Sequence, residues 1–325
     1  MMPTQIKKTL SPDVVPALIE QNLKGEGVPW HLNWSGLQAW GLTLLFDAPG
    51  QGNGYAGTAW RGLLGQALSA RVCIRSAPAC QNCPILAGCA YPTLFKPLDE
   101  KALPPFWLHG WHRPAHAAHR WHVGLRWLGE HVAEMAEWLD ALAAHSGNLE
   151  FGGQPVRLIE AYDAATNKPV WQSGKGFSGR LQALPLVSDD LPPETCRVVF
   201  RSPLVSKHAG DPLFGSLQTR LQRLINLHGA KTELSRPERP WISSIVSEKH
   251  RDIPLPHRHL RGVEWQLELT EITHEAWAML QAGRELHAGG QTSMGCGHFD
   301  IYPSNRADPV RPHQNTINNR ESSNK

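Results

Sequence analysis

Four cysteines, Cys73, Cys80, Cys83 and Cys89, stand in the pattern C-x6-C-x2-C-x5-C within 17 residues. Thiolates so spaced chelate metal. They suit tetrahedral zinc and they suit iron–sulfur clusters, and the central C-x2-C is the usual chelating step in both. Four protein ligands fill a tetrahedral site and leave no open position, so the expected role is a structural zinc, with an iron–sulfur cluster as the alternative and free thiols as the plain reading. Histidine is the second reactive type. His109, His112, His116, His119 and His122 fall within 14 residues, interrupted by Pro114. Imidazole titrates near neutrality and serves as acid, base or metal ligand. The stretch therefore reads as a second metal patch, a polyanion-contacting loop, or chance.

A third signal is the run from Leu286 to Tyr302, LHAGGQTSMGCGHFDIY, in which Gly289, Gly290, Gly295 and Gly297 bracket a small polar tip. Glycine lets a second backbone come close, and such a loop between strands suits contact with a sugar-phosphate backbone, although most such loops are only turns. The charge is sorted although its net is only +3. From Ala48 to Gly129 eight bases stand against Asp99 and Glu100. Residues 196 to 232 hold Arg197, Arg201, Lys207, Arg220, Arg223 and Lys231 against Asp211, and an acidic stretch from 130 to 170 separates the two. Two basic segments predict a polyanion-binding face assembled from two regions.

These residues need elements to position them. Leu37 to Phe46 reads as a buried strand, Thr58 to Ala70 as a helix with Thr58 at its cap, and Trp121 to Leu128 as a strand. Glu130 to His145 has the helical spacing of Val132, Met135, Leu139 and Leu142, and Val156 to Tyr162 with Val170 to Gln172 suggests a hairpin. A second unit begins near Cys196: strand Arg197 to Arg201, helix Leu213 to His228 stopped by Gly229, alternating strand Val263 to Leu269, and a short helix Glu275 to Gln281. The fold class is therefore α+β, a tandem pair of split βαβ units. Expected boundaries are an extension at 1–36, a first domain at 37–194 carrying the cysteines, a second at 195–303 carrying the glycine loop, and a disordered polar tail at 304–325. No apolar run is long enough for a membrane span. The polar start, Met1 to Thr9, predicts no signal peptide and a cytoplasmic protein.

The segment HLRGVEWQLELTEITHEAWAMLQAGRELHAGGQTSMGCGHFDIY, with Gly262 and the four loop glycines, resembles the C-terminal half of the CRISPR-associated RAMP endoribonucleases that cut pre-crRNA at its repeats. Phe200-Arg201-Ser202-Pro203-Leu204 and the following arginine-bearing helix are similar to a second patch of that family. Gly57 to Leu68 with Arg61-Gly62, the four cysteines, and Tyr91 to Phe95 look like its cysteine-containing branch. The resemblance covers roughly 37 to 100 and 195 to 302. It implies two ferredoxin-like domains, a CRISPR repeat RNA or crRNA as partner, and cleavage with no cofactor. In that reaction the ribose 2′-OH attacks the adjacent phosphate to leave a 2′,3′-cyclic phosphate and a 5′-OH.

Such cleavage needs a base, an acid and a cation for the crowded phosphate. Catalytic positions vary in that family, so the candidates follow from residue type. They are His287 at the mouth of the glycine loop, Tyr55 before the first helix, and His112. Each has a plain reading as a packed or surface residue. His31, among aromatics in PWHLNW, reads as packing. Arg61, Arg220, Arg223, Arg258 and Arg261, with His259, are the RNA-binding candidates, alongside Gly289, Gly290, Gly295 and Gly297. Two rival readings remain: a non-catalytic RAMP subunit that holds crRNA with other effector-complex subunits, and a zinc-binding interaction protein.

Overall fold

The structure is a computed structural model that describes residues 37–49, 55–74, 80–98, 103–112, 119–129, 132–145, 148–177, 179–208, 212–228, 240–255 and 258–303. The predicted extension with His31, His116, Gly229, the polar tail and the side chain of Arg258 lie outside the described residues.

The first unit runs β1 (Ala39–Asp47), α1 (Ala56–Val72), β2 (Phe106–His112), β3 (Arg120–Leu128), α2 (Val132–Ala144), a two-residue hairpin β4 (Glu150–Phe151) and β5 (Gln154–Pro155), β6 (Arg157–Asp163), β7 (Pro169–Gln172) and β8 (Gly176–Phe177). Its sheet has the order β2-β3-β1-β6-β7-β8. The second unit runs β9 (Thr195–Phe200), α3 (Pro212–His228), β10 (Trp241–Leu255), β11 (Arg258–Thr270), α4 (His274–Leu286) and β12 (Phe299–Pro303), in the order β10-β11-β9-β12. In each unit the first and third strands are central and the second and fourth flank them. This is the ferredoxin-like βαββαβ arrangement, extended in the first unit by β7 and β8. The predicted α+β pair is therefore what the chain forms.

Period-two patterning builds both sheets. Leu42, Leu44 and Phe46 of β1 and Val123, Leu125 and Trp127 of β3 are buried under α1 and α2. Helix α1 supplies Trp60, Leu63, Leu64, Ala67 and Leu68, the spacing of one apolar stripe. Trp60 stacks on Phe46 and Phe151 at 4.9 and 4.3 Å. In the second unit Leu213, Leu217, Leu221 and Leu224 of α3 and Ala276, Met279 and Leu280 of α4 close over Val198, Leu267, Leu269 and Phe299.

The two units share a core. Leu37, Ala39, Trp107 and Leu128 of the first belong to the apolar cluster of the second. Trp107 is 1% exposed and its Nε1 donates to the Glu285 carbonyl at 2.8 Å. Burying so large a ring contributes about 3 kcal/mol or more, so the docking is specific rather than a loose tether.

Several boundaries differ from the sequence reading. Tyr55, not Thr58, is the cap of α1, while the Thr58 hydroxyl donates to the Tyr55 carbonyl at 2.8 Å. Helix α4 continues five residues past Gln281, because Ala282, Gly283 and Leu286 also pack into the core, and Thr273 caps its start by accepting from the Ala276 N–H. Besides the two-residue strands β4, β5 and β8, two long strands were not anticipated. β2 is hidden by a bulge: Leu108 faces Leu125 and Trp111 faces Val123, so three steps on β2 oppose two on β3. β10 is an edge strand with exposed Ile242, Ile245 and Val246, which removes the apolar alternation that marks a half-buried strand.

Candidate active site

Alternation that buries Val123, Leu125 and Trp127 turns His122, Gly124 and Arg126 to the opposite, helix-free face of β3. β1 turns Gly41 and Thr43 the same way, and the register sets Gly41 beside Arg126 and Thr43 beside Gly124. Glycine at 124 is a matter of space. A Cβ there would sit 2.3 Å from the His109 carbonyl oxygen. The bulge that brings this carbonyl down, with Gly110 at φ 75°, also aims the His109 ring toward the second unit.

There it meets two more histidines. His287 Nε2 lies 3.2 Å from His109 Nδ1, and His287 Nδ1 lies 3.1 Å from the Cys296 carbonyl. The rings of His109 and His298 are 4.3 Å apart, and His287 stacks on His298 at 5.0 Å. A carbonyl only accepts, so His287 Nδ1 carries the proton and its Nε2 accepts from His109 Nδ1–H. His109 Nε2 then faces Glu285 Oε2 at 3.9 Å, and Arg126 Nε is 3.6 Å from the same oxygen. Burial first, then the charge of Arg126 and of the other two histidines, holds His109 well below its ordinary 6.5. Burial likewise lowers His287, followed by His298 and Arg220, against a partial rise from the Cys296 carbonyl bond. Both imidazoles are neutral at physiological pH.

In front of this trio opens a cleft of about 310 Å³ between the two units. His109, His112, His122 and Arg126 line it from the first unit, and Arg201, Ser202, His298 and Asp300 from the second. His112 and His122 come from paired positions of β2 and β3, and their rings stack at 4.8 Å. Arg201 donates through Nε to Asp300 Oδ2 at 2.6 Å and through a second nitrogen to the Tyr302 hydroxyl. Burial would lower Arg201, but Asp300 and Tyr302 outweigh it and the guanidinium stays charged. The cleft therefore combines imidazoles able to move protons with a cation able to face a phosphate. Arg201 and His298 were not singled out as site residues from sequence. The signal was present in alternation: buried Phe299 forces His298 and Asp300 onto the other face of β12.

A second concavity, about 510 Å³, lies along the glycine loop. Lys207, His208, Thr219, Arg220, Arg223, Gly289 and Gly290 are on its walls. Arg223 is exposed on α3, so this groove carries the basic character read from residues 196 to 232.

The sequence candidates fall unevenly around these cavities. His112 is in the cleft. His287 is fully buried behind it, so it backs His109 and His298 rather than facing the open cleft. Tyr55 is no solvent-facing acid: its ring packs edge-on against Trp111, its hydroxyl is buried against Cys296 and Ser202, and burial raises it far above its ordinary 10.0. Arg61 donates to Ser293 Oγ at 3.2 Å and to the Phe95 carbonyl at 3.4 Å, and lies 4.4 Å over the Phe95 ring, which ties α1 to the glycine loop. Arg220 is 6% exposed, donates to the Leu286 carbonyl, and is lowered to about 9 by burial and by Arg223. It is a docking residue that reaches only the floor of the groove. Arg261 is exposed on β11 with Asp252 3.8 Å away, and His259 is exposed nearby.

The loop glycines serve mainly the protein's own backbone. A Cβ at Gly297, where φ is 75°, would stand 1.8 Å from the Ala288 carbonyl oxygen, and one at Gly289 would stand 2.5 Å from that of Val205. Gly295 packs under Trp111. Gly290 alone of the four has room around it, and its N–H donates to the Val205 carbonyl at 2.9 Å.

Cys73 caps the end of α1, Cys80 opens a short 3-10 turn and Cys89 ends a second one, with the Cys83 N–H bonded to the Cys80 carbonyl at 3.1 Å. Burial raises the Cys73 thiol, and the charges of Cys89, Cys80 and Cys83 raise it further. Mutual repulsion of this kind is what a bound cation relieves, so the donor set fits a metal. Among the described residues, however, the three ligating atoms that lie within 4.8 Å of one another belong to histidines and not to these thiols. No described helix is long and apolar enough to cross a membrane.

The profile of the AF_1859_N family, an N-terminal domain, matches residues 37–185. No curated protein matches the sequence. A partial Cas6-RT-Cas1–Cas2 complex is similar in structure over 84% of this chain and 47% of that one, with a TM-score of 0.54 and 14% identity. Cas6 of Thermus thermophilus has a TM-score of 0.48 at 14% identity, over 82% and 99% of the two chains. A Cas6-related protein from Pyrococcus furiosus has 0.43 at 11%, over 83% and 100%. At such identities the likeness is one of architecture, and the chain's tandem ferredoxin-like fold is shared with the Cas6-containing complex.

Proposed function

We propose that the chain binds CRISPR repeat RNA and cuts pre-crRNA by attack of the ribose 2′-OH on the neighbouring phosphate, without a catalytic metal. The observation that carries this reading is the interdomain cleft, where imidazoles and a paired but charged arginine converge between two ferredoxin-like sheets. In the proposed step one of His112 and His122 takes the 2′-OH proton while the 2′ oxygen bonds to phosphorus. The phosphorus–5′-oxygen bond breaks, and the other imidazole, entering protonated, donates to the leaving oxygen. The products are a 2′,3′-cyclic phosphate and a 5′-OH, so protons and charge balance. Arg201 offsets the charge that accumulates on the phosphate. The glycine-loop groove with Lys207 and Arg223 supports a backbone-binding role, and Arg261 at the β10–β11 hairpin suits a duplex stem, which is gripped through phosphates and shape. The cysteine quartet is proposed to hold a structural zinc ion that braces the segment after α1.

The test is incubation of the protein with end-labelled repeat RNA in EDTA. Product ending in a cyclic phosphate is expected. His112→Asn should slow cutting by about 10²-fold or more while binding changes less than about twofold. Tight binding with no cutting would favour a crRNA-holding subunit, and a lack of salt-sensitive binding would remove both readings.

A further inference from the structure

We propose that His109, His287 and His298 form a binding site for a divalent ion of the zinc class, and that this ion clamps the two units together. The site is separate from the cysteine quartet and does not depend on the RNA reading. One ring nitrogen from each histidine lies within 4.8 Å of the other two. Metal–nitrogen bonds of about 2.0–2.1 Å at tetrahedral angles set ligand atoms about 3.4 Å apart. His109 Nδ1 and His287 Nε2 are already 3.2 Å apart, and His298 closes by turning its ring.

The surroundings are those a ligating histidine requires. A bound imidazole uses one nitrogen for metal and donates the other N–H to a carbonyl or carboxylate, which fixes its tautomer and raises its basicity. His287, ligating through Nε2, keeps its Nδ1–H on the Cys296 carbonyl at 3.1 Å. His109, ligating through Nδ1, points Nε2 at Glu285 Oε2, 3.9 Å away, a buried oxygen that has no hydrogen-bond partner. Without metal the short His109–His287 contact is a hydrogen bond that leaves that oxygen unsatisfied. With metal, the His109 proton moves from Nδ1 to Nε2 and points at Glu285 Oε2, which becomes its acceptor once the two close from 3.9 Å. The two histidines release no net proton.

His109 stands on β2 of the first unit, while His287 and His298 flank the glycine loop of the second. An ion held by all three bridges the interface beside the bond from Trp107 to Glu285. His109 and His298 also line the cleft, so the fourth coordination position opens there, to water or an anionic oxygen.

Cobalt(II) titration of metal-stripped full-length protein tests this. Cobalt held by thiolates shows a strong near-ultraviolet sulfur-to-metal band, whereas cobalt held by imidazoles shows only weak visible ligand-field bands. Two equivalents are expected if the quartet also binds, one with each signature. His109→Gln and His298→Gln should each raise the dissociation constant of the nitrogen-only site by at least about tenfold and leave the thiolate signature intact. Zinc added after the cysteine site is filled should raise the melting temperature of the wild type and not of either variant. His298→Gln, at the cleft wall, guards against a folding defect from the more central change, and circular dichroism checks both. A nitrogen-only site of unchanged affinity in both variants, or wild-type binding confined to the thiolate signature, would overturn the proposal.

Discussion

Glu285→Gln probes the joint between the two units. Glu285 Oε2 lies 3.6 Å from Arg126 Nε, and the two side chains are only 13% and 9% exposed. At that separation and an effective dielectric of about 20, the attraction is about 4.6 kcal/mol. Removing one partner of a buried pair costs about 3–5 kcal/mol, because the survivor is stranded. Arg126 would keep two acceptors, the carbonyls of Leu42 and Leu125, each at 3.2 Å. That compensation places the expected loss at the low end, about 3 kcal/mol. Adding Arg126→Met removes the stranded charge, and its straight apolar chain follows the arginine stem that lies across Gly41. The double variant should therefore be more stable than Glu285→Gln alone. Urea unfolding followed by tryptophan fluorescence reads both, since Trp107 sits at this joint. A Glu285→Gln protein within about 0.5 kcal/mol of wild type, or a double variant less stable than the single one, would refute the pairing argument.

Three further outcomes follow from the geometry. His109 and His287 are held below 6.5 in the folded state, so the unfolded chain binds protons first as pH falls. Their contribution is complete above about pH 6.5 and is lost as pH falls from there toward the folded values, at about 1.4 kcal/mol per pH unit for each histidine; denaturant midpoints that stay level from pH 7.5 to 5 would contradict this. Gly297→Ala forces a Cβ against the Ala288 carbonyl at positive φ and should cost at least about 2 kcal/mol, read as a fall in melting temperature; an unchanged value would mean the loop has slack. Arg223→Ala should lower the slope of log K against log salt for repeat RNA by about 0.7–0.9, and an unaltered slope would take Arg223 off the phosphate path.

The architecture was legible wherever burial was one-sided. β1, β3, β11 and the helices α2 and α3 follow directly from period-two or helical spacing of apolar residues. β2 escaped because its bulge breaks the alternation at His109 and Gly110, and those are the residues that matter most to the cleft. β10 escaped because an edge strand need not bury a face. The site was legible by type and not by place. His112 could be named because histidines are dense there. The meeting of His109 with His287 joins positions 178 apart, which no local spacing encodes. Arg61 and Arg220 misled for the converse reason: a guanidinium that satisfies main-chain carbonyls inside the fold has the same letter as one that waits for a phosphate.

The division of the cleft between β2–β3 and the loop before β12 sets an order of events during synthesis. The strands of the first sheet end at residue 177, but His298 and Asp300 are made more than a hundred residues later. Until they emerge, only the first unit's wall of the cleft has been made. The cleft is completed late, when β12 pairs beside β9. A nascent chain thus lacks one wall of the cleft for most of its translation, and a truncated product without β12 lacks Asp300 altogether.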